Sequence, residues 1–196
     1  MNAKVSDVGW LWAGASGVAT MIGAAAALRL FPGAAFAANP TGQLGWNLVG
    51  VALGVGIPFA LAQWLLLQLR IGIQGPLRAL LLVCWIPASA SGIAVMILPL
   101  YWWHATVLMF NPWMVVVPTL PGILLLGVMQ WLILYALLRV RFKWATLTIT
   151  GALVGVLLGL LASVFTPLPL EPTWALVTGF SIGAFQSSAL QELTAA

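Results

Sequence analysis

The chain has 196 residues, of which 63% are hydrophobic and only 5% are charged. A soluble domain carries roughly 25% charged residues, so the few charged side chains present cannot cover a globule of this size. Lipid must therefore be the outer solvent. The net charge of +4 comes from cations scattered between apolar runs rather than from a basic stripe, which excludes a nucleic-acid-binding protein.

Six apolar stretches follow one another along the chain, each close to the roughly 20 residues that a helix needs to cross a bilayer. Backbone polar groups cannot stay unpaired in lipid, and continuous apolar runs favour helices over a barrel. The sequence predicts an all-α integral membrane protein, a six-transmembrane-helix bundle, with helices over residues 8–30, 46–69, 77–100, 113–139, 144–167 and 173–191. The first stretch is longer than a signal-peptide core, so we expect a retained helix.

Arginine and lysine residues predict the orientation of the bundle. If the helices alternate in direction, Arg29 falls on one side and every other cation falls on the opposite side. Because cytoplasmic loops carry the excess of Lys and Arg, we expect the N- and C-termini in the cytoplasm. The expected location is a bacterial cytoplasmic (inner) membrane or an intracytoplasmic membrane.

Tryptophans cluster near the predicted helix ends, where their amphipathic rings settle at the depth of the lipid headgroups. We interpret them as aromatic belts that need no cofactor. The segment between the third and fourth helices is aromatic and uncharged, and we expect it to lie on the membrane surface. The belt residues at this predicted outer face are Trp46, Trp102, Trp103, Trp113 and Trp174.

The even-numbered helices repeat one pattern. Trp46 precedes Gln63 by 17 residues, and Trp113 precedes Gln130 by the same distance. The sixth helix carries a shortened copy, with Trp174 and Gln186. The pattern predicts a single transmembrane domain over residues 1–196, built from three helical hairpins at about residues 8–69, 77–139 and 144–191 in parallel orientation, an arrangement also found in transporters.

Gln63, Gln130 and Gln186 form a predicted intramembrane polar cluster. A neutral amide in hydrocarbon is costly unless it is paired, so these side chains should face protein and bond between helices. Two interpretations stay open, since the cluster either holds the helices together or lines a cavity that binds a polar group.

Glycines at four-residue spacing predict smooth faces that let two helices approach closely. Gly151, Gly155 and Gly159 form the longest stripe, and their partner is either within the chain or another subunit. Shorter pairs are Gly50 with Gly54 and Gly179 with Gly183.

Catalytic chemistry is not visible in the sequence, and we predict that the protein is not an enzyme. The three acidic residues lie at helix ends or tails, so no proton relay is present inside a predicted span. A single cysteine, Cys84, and a single histidine, His104, provide no metal site. His104 could serve as the one axial ligand of a porphyrin or chlorophyll. No cofactor is required by the sequence, and we expect bound lipid.

The hairpin that ends in Gly-x-x-Gln-Trp, here Gly127 to Trp131 and, with Ala60 in place of Gly, Ala60 to Trp64, resembles repeats in bacterial polytopic membrane proteins of uncharacterised activity. That resemblance implies no activity. The size, helix number and cytoplasmic termini are also similar to the substrate-binding S-components of energy-coupling-factor vitamin transporters. Those proteins dock through Ala-x-x-x-Ala on the first helix, which Ala15 and Ala19 match.

Three functions follow as hypotheses. The leading one is a non-catalytic accessory or structural subunit of a larger membrane complex, photosynthetic or respiratory, with other membrane subunits as partners. The alternative is a small-molecule transporter or binding component of the S-component type, with a cavity near the glutamines closed by residues 31–45. The third is a pigment-binding protein that uses His104.

Overall fold

The protein is a bundle of long helices. A computed structural model of the chain describes residues 5–30, 44–71, 75–102, 113–165 and 170–195, and within these ranges there is no strand. The predicted all-α class is therefore confirmed, and each helix begins and ends within a few residues of its predicted bounds. The described residues form six helices, namely α1 (Val5–Leu30), α2 (Leu44–Ile71), α3 (Pro76–Trp102), α4 (Trp113–Leu138), α5 (Lys143–Phe165) and α6 (Leu170–Ala195).

Four of these helices contain stretches that are long and apolar enough to cross a membrane, namely Gly9–Leu30, Pro76–Ile97, Val116–Leu138 and Lys143–Ala162. Helix α2 contains a shorter apolar stretch, Leu53–Leu69. Large apolar side chains such as Ile22, Val83 and Leu161 are exposed on the outside of the bundle. A soluble protein rarely exposes a continuous apolar surface of this kind, so the helices suggest an integral membrane protein surrounded by lipid.

The helices form a closed ring. Each helix packs against the next one in the chain, and α6 returns to pack against α1. The ring therefore consists of three antiparallel hairpins, α1–α2, α3–α4 and α5–α6, placed side by side. Its interior is filled at both ends, because one buried apolar cluster surrounds Phe59 and Ile123 and a second surrounds Leu67 and Leu134.

Two short connections lie at the end of the bundle where α2 and α4 finish. Gly75 adopts a φ of 68°, which glycine tolerates without a steric penalty, and its carbonyl accepts a 3.2 Å bond from Arg78 N. Helix α4 ends in an αL motif, in which Arg139 N donates to Tyr135 O at 3.0 Å; Val140 N also donates to Leu134 O at 3.5 Å. Arg139 has a φ of 56° although it is not a glycine, so this turn could not be predicted from the residue type.

The predicted glycine faces pack against helices of the same chain. A Cβ atom at Gly155 would lie 2.6 Å from Thr178 Cα on α6, and one at Gly183 would lie 2.7 Å from Ala13 Cα on α1. Gly151, Gly159, Gly179 and Gly54 are similarly close to neighbouring helices, and Gly50 is buried. The sequence left open whether these glycines contact the same chain or another subunit. At each glycine whose surroundings are described, the contacting helix belongs to the same chain. Glycine permits these close contacts, because any side chain at these positions would push the neighbouring helix backbone away.

Candidate functional site

The three predicted glutamines meet at the centre of the ring. They lie on α2, α4 and α6, between the two apolar clusters, and the side chains of all three are completely buried. Gln63 Nε2 donates to Gln186 Oε1 at 2.8 Å, Gln186 Nε2 donates to Gln130 Oε1 at 2.9 Å, and Gln130 Nε2 donates to Gln63 Oε1 at 3.3 Å. The three amides thus form a closed cycle of hydrogen bonds, which we call the glutamine ring.

Each glutamine also donates to a hydroxyl group on the other helix of its own hairpin. Gln63 Nε2 donates to Ser16 Oγ at 3.3 Å, and Gln130 Nε2 donates to Ser89 Oγ at 3.0 Å. Gln186 Nε2 donates to Thr148 Oγ1 at 2.8 Å. Every hairpin therefore contributes one hydroxyl from its first helix and one amide from its second helix.

The ring uses all of its own donors. A primary amide has two N–H groups, and in each glutamine one of them bonds to the next glutamine and the other to a hydroxyl group. The amide groups carry no charge and do not titrate near neutral pH. The arrangement can therefore fix the spacing and rotation of the helices, and no amide donor is left over for a ligand.

Three fully buried tryptophans, Trp12, Trp85 and Trp144, lie one helical turn before the three hydroxyl residues. We call these residues the tryptophan triad. The rings of Trp12 and Trp144 meet edge to face at a centroid distance of 6.0 Å, and those of Trp85 and Trp144 are 6.3 Å apart. Trp12 Nε1 donates to Gln186 Oε1 at 3.1 Å. The triad thus packs directly against the glutamine ring.

The contribution of the odd-numbered helices to the site is not among the predictions made from the sequence. The positions of Trp12 and Trp144 near helix ends favour an inner aromatic belt, and their complete burial shows that interpretation to be wrong. The available signal was a Trp-x-x-x-Ser/Thr spacing, which occurs at Trp12 and Ser16, at Trp85 and Ser89, and at Trp144 and Thr148. Residues four apart lie on one face of a helix, so the spacing places each pair toward the centre.

Several buried polar atoms near the site have no hydrogen-bond partner among the residues that the structure describes. The indole N–H groups of Trp85 and Trp144 belong to the tryptophan triad, and they are unpaired although both side chains are fully buried. Gln68 Nε2, Trp131 Nε1, Trp174 Nε1 and Thr178 Oγ1 are also unpaired. A buried donor without a partner costs free energy, so the indoles of the triad are incompletely satisfied.

The predicted outer belt is only partly within the described residues. The side chain of Trp174 is only 5% exposed. It packs against Gly159 of α5, where no side chain fills the space. Its ring therefore faces α5 rather than the outside of the bundle. The side chains of Trp46, Trp102 and Trp113, together with all of Trp103 and His104, lie outside the described residues.

The remaining chemistry of the described residues is sparse. No group of three or more His, Cys, Asp or Glu side chains within them could hold a metal ion. Cys84 is a free thiol with a partly buried side chain. Arg78 lies over the ring of Trp64 at 5.3 Å, and Trp64 Nε1 donates to Arg78 O, so these residues join α2 to α3.

No protein-family model, curated protein or solved structure matches the chain.

Proposed function

We propose that this protein is a non-catalytic subunit with a structural role in a larger membrane complex, photosynthetic or respiratory, in a bacterial inner or intracytoplasmic membrane. In this proposal all six helices cross the bilayer and both termini lie in the cytoplasm. Its partners are other membrane subunits, and lipid surrounds the remaining surface.

The glutamine ring carries the proposal. A binding or catalytic centre presents polar groups that are free to contact a ligand, usually a small number in an otherwise apolar pocket. Here the six amide N–H groups bond to one another's carbonyls and to three hydroxyl groups of the same chain. Every amide donor of this buried network is paired, and the network joins all three hairpins. A connected buried network favours one packing arrangement, which is the property that a structural subunit needs.

The surface of the bundle gives the second argument. Large apolar side chains are exposed on α1, α3, α4 and α5, including Val18, Val83, Leu124 and Leu158. The one connection that the structure describes completely, residues 139–142 between α4 and α5, is short. The exposed apolar sides of these helices are available for association with other membrane subunits.

The alternative of an S-component-like transporter requires a cavity beside the glutamines. A substrate that accepts hydrogen bonds from the amide N–H groups would have to displace bonds of 2.8–3.3 Å within the glutamine ring before it could bind there. The apolar clusters on both sides of the ring are built from fully buried side chains, including Leu126 and Leu190. The described geometry therefore favours the structural role.

The test is purification of the tagged full-length chain from native membranes in mild detergent, followed by mass spectrometry and an absorption spectrum of the same sample. We expect stoichiometric recovery of other membrane subunits, and a visible spectrum would show whether pigment belongs to that complex. An unrelated tagged polytopic protein of similar size, purified in parallel, controls for nonspecific capture. Recovery of a stable monomer would contradict the proposal, and recovery with an ATPase module would favour the transporter.

A further inference from the structure

The contacts around the glutamine ring repeat from hairpin to hairpin, except at two of the three tryptophans. Each glutamine donates to the glutamine of the preceding hairpin, so that Gln63 donates to Gln186 and Gln130 donates to Gln63. Trp12 follows the same rule. It lies in the first hairpin, and its indole N–H donates to Gln186 of the third hairpin, which precedes the first in the closed circle of helices. The corresponding acceptors are Gln63 for Trp85 and Gln130 for Trp144.

Those two tryptophan bonds are not made. Trp85 Nε1 and Trp144 Nε1 have no partner among the described residues, although both side chains are completely buried. The acceptors show the same deficit. Gln186 Oε1 accepts two hydrogen bonds, from Gln63 and Trp12, whereas Gln63 Oε1 and Gln130 Oε1 each accept one within the ring. A carbonyl oxygen can accept two.

Two unpaired donors thus belong to the same layer as two incompletely used acceptors. We infer that two water molecules bind between the tryptophan triad and the glutamine ring, one joining Trp85 Nε1 to Gln63 Oε1 and the other joining Trp144 Nε1 to Gln130 Oε1. Each water accepts a bond from the indole and donates one to the amide oxygen. Buried waters typically have two to four polar partners, and these sites provide two.

The indole N–H and the amide oxygen at each site determine which kind of ligand can bind between them. An anion would accept from the indole but would be repelled by the amide oxygen, and a cation would be repelled by the indole N–H. The ligand must therefore be neutral and must both donate and accept a hydrogen bond. It must also be small, because the triad rings are in edge-to-face contact at 6.0 and 6.3 Å and Leu67, Leu81, Leu134 and Leu190, all fully buried, belong to the same cluster.

Nuclear magnetic resonance on the unmodified chain tests this inference directly. The perdeuterated full-length protein, with ¹⁵N-labelled tryptophan, would be placed in lipid nanodiscs, and cross-relaxation between water and each indole N–H would be measured. The signals are assigned from the loss of one indole signal in each of the variants Trp12→Phe, Trp85→Phe and Trp144→Phe. We expect water cross-peaks for Trp85 and Trp144, and none for Trp12, which is the matched control. If neither Trp85 nor Trp144 contacts water, the inference is wrong, whether their N–H groups are unpaired or bond directly to glutamine.

A stability comparison gives an independent result. Trp85→Phe and Trp12→Phe remove the same ring volume and the same donor, so they differ only in the partner of that donor. If Trp85 bonds to water, both substitutions should raise the unfolded-to-folded ratio by a similar factor, about tenfold from the lost hydrogen bond. If Trp85 has no partner, its substitution should cost clearly less than that of Trp12, and this result would overturn the inference.

Discussion

At the residue scale, the buried amides illustrate how lipid changes the role of a polar side chain. In water a glutamine loses little when it is unpaired, but in the interior of this bundle an unpaired amide has no solvent to replace its partner. The three glutamines pair with one another, because each one donates a hydrogen bond to one of the others and accepts one from the third. Removal of one member therefore affects all three.

Substitution of one glutamine should destabilise the fold. Gln130→Leu removes the acceptor of Gln186 and the donor to Gln63, and leaves both groups buried without partners. We expect a loss of roughly 1–3 kcal/mol in the free energy of unfolding, measured by thermal denaturation in detergent. The matched control is Gln68→Leu, because Gln68 Nε2 already lacks a partner and its loss should cost little. Equal losses in the two variants would argue against a role for the ring in stability.

At the element scale, the helices are held close together by small residues at their contacts. Gly155 lies against Thr178 of α6, and Gly92 lies against Leu126 of α4, where an added Cβ would be 2.7 Å from a Cα atom. Gly14 on α1 is different, because a Cβ there would meet no atom within 4 Å. The same residue type therefore has different structural roles at different positions.

The substitution Gly155→Ala should separate α5 from α6. The added methyl group would lie 2.6 Å from the Cα of Thr178, which cannot move without the backbone. We expect a destabilisation of roughly 1–3 kcal/mol from this overpacking, measured as a shift of the unfolding transition. Gly14→Ala is the control and should be neutral or slightly stabilising, since alanine favours helix and the site is open. A stable Gly155→Ala variant would contradict the close α5–α6 contact.

At the scale of the whole molecule, the distribution of charge predicts the topology of the bundle. Arg78, Arg139, Arg141 and Lys143 lie in or beside the connections at the end of the bundle where α2 and α4 finish, and Arg29 lies at the opposite end. The positive-inside rule predicts that the first group lies in the cytoplasm.

Labelling of single cysteines measures this orientation. In a Cys84→Ser background, a membrane-impermeant maleimide should label Thr41→Cys in intact cells, or in spheroplasts if an outer membrane is present. It should label Arg141→Cys only after the inner membrane is opened. Position 41 lies between α1 and α2, and Arg141 is exposed between α4 and α5. The Cys84→Ser protein without an added cysteine provides the background. If Arg141→Cys is labelled from outside intact cells, the predicted orientation is wrong.

Helix positions could be predicted from the sequence because lipid imposes a simple requirement. Each run of apolar residues must satisfy its own backbone hydrogen bonds, so its length and composition give the helix almost directly. The glutamines could also be singled out, because an amide within an apolar run must face protein. Both arguments use local information along the chain. The hairpin repeat predicts that the three glutamines cluster, but it does not identify the hydroxyl and indole groups to which they bond.

The tertiary structure decided how the predicted helices are combined. A tryptophan near a helix end has the same sequence pattern whether its ring faces lipid headgroups or the centre of the bundle. Trp10 is 69% exposed and Trp12 is completely buried, although they lie two residues apart. Likewise, the stripe of Gly151, Gly155 and Gly159 predicts a close neighbour without identifying it. The sequence by itself determined where the helices lie and which polar groups must be paired. Closure of α6 onto α1, the membership of the tryptophan triad and the direction of the glutamine ring depend on contacts between distant segments, and only the tertiary structure decided them.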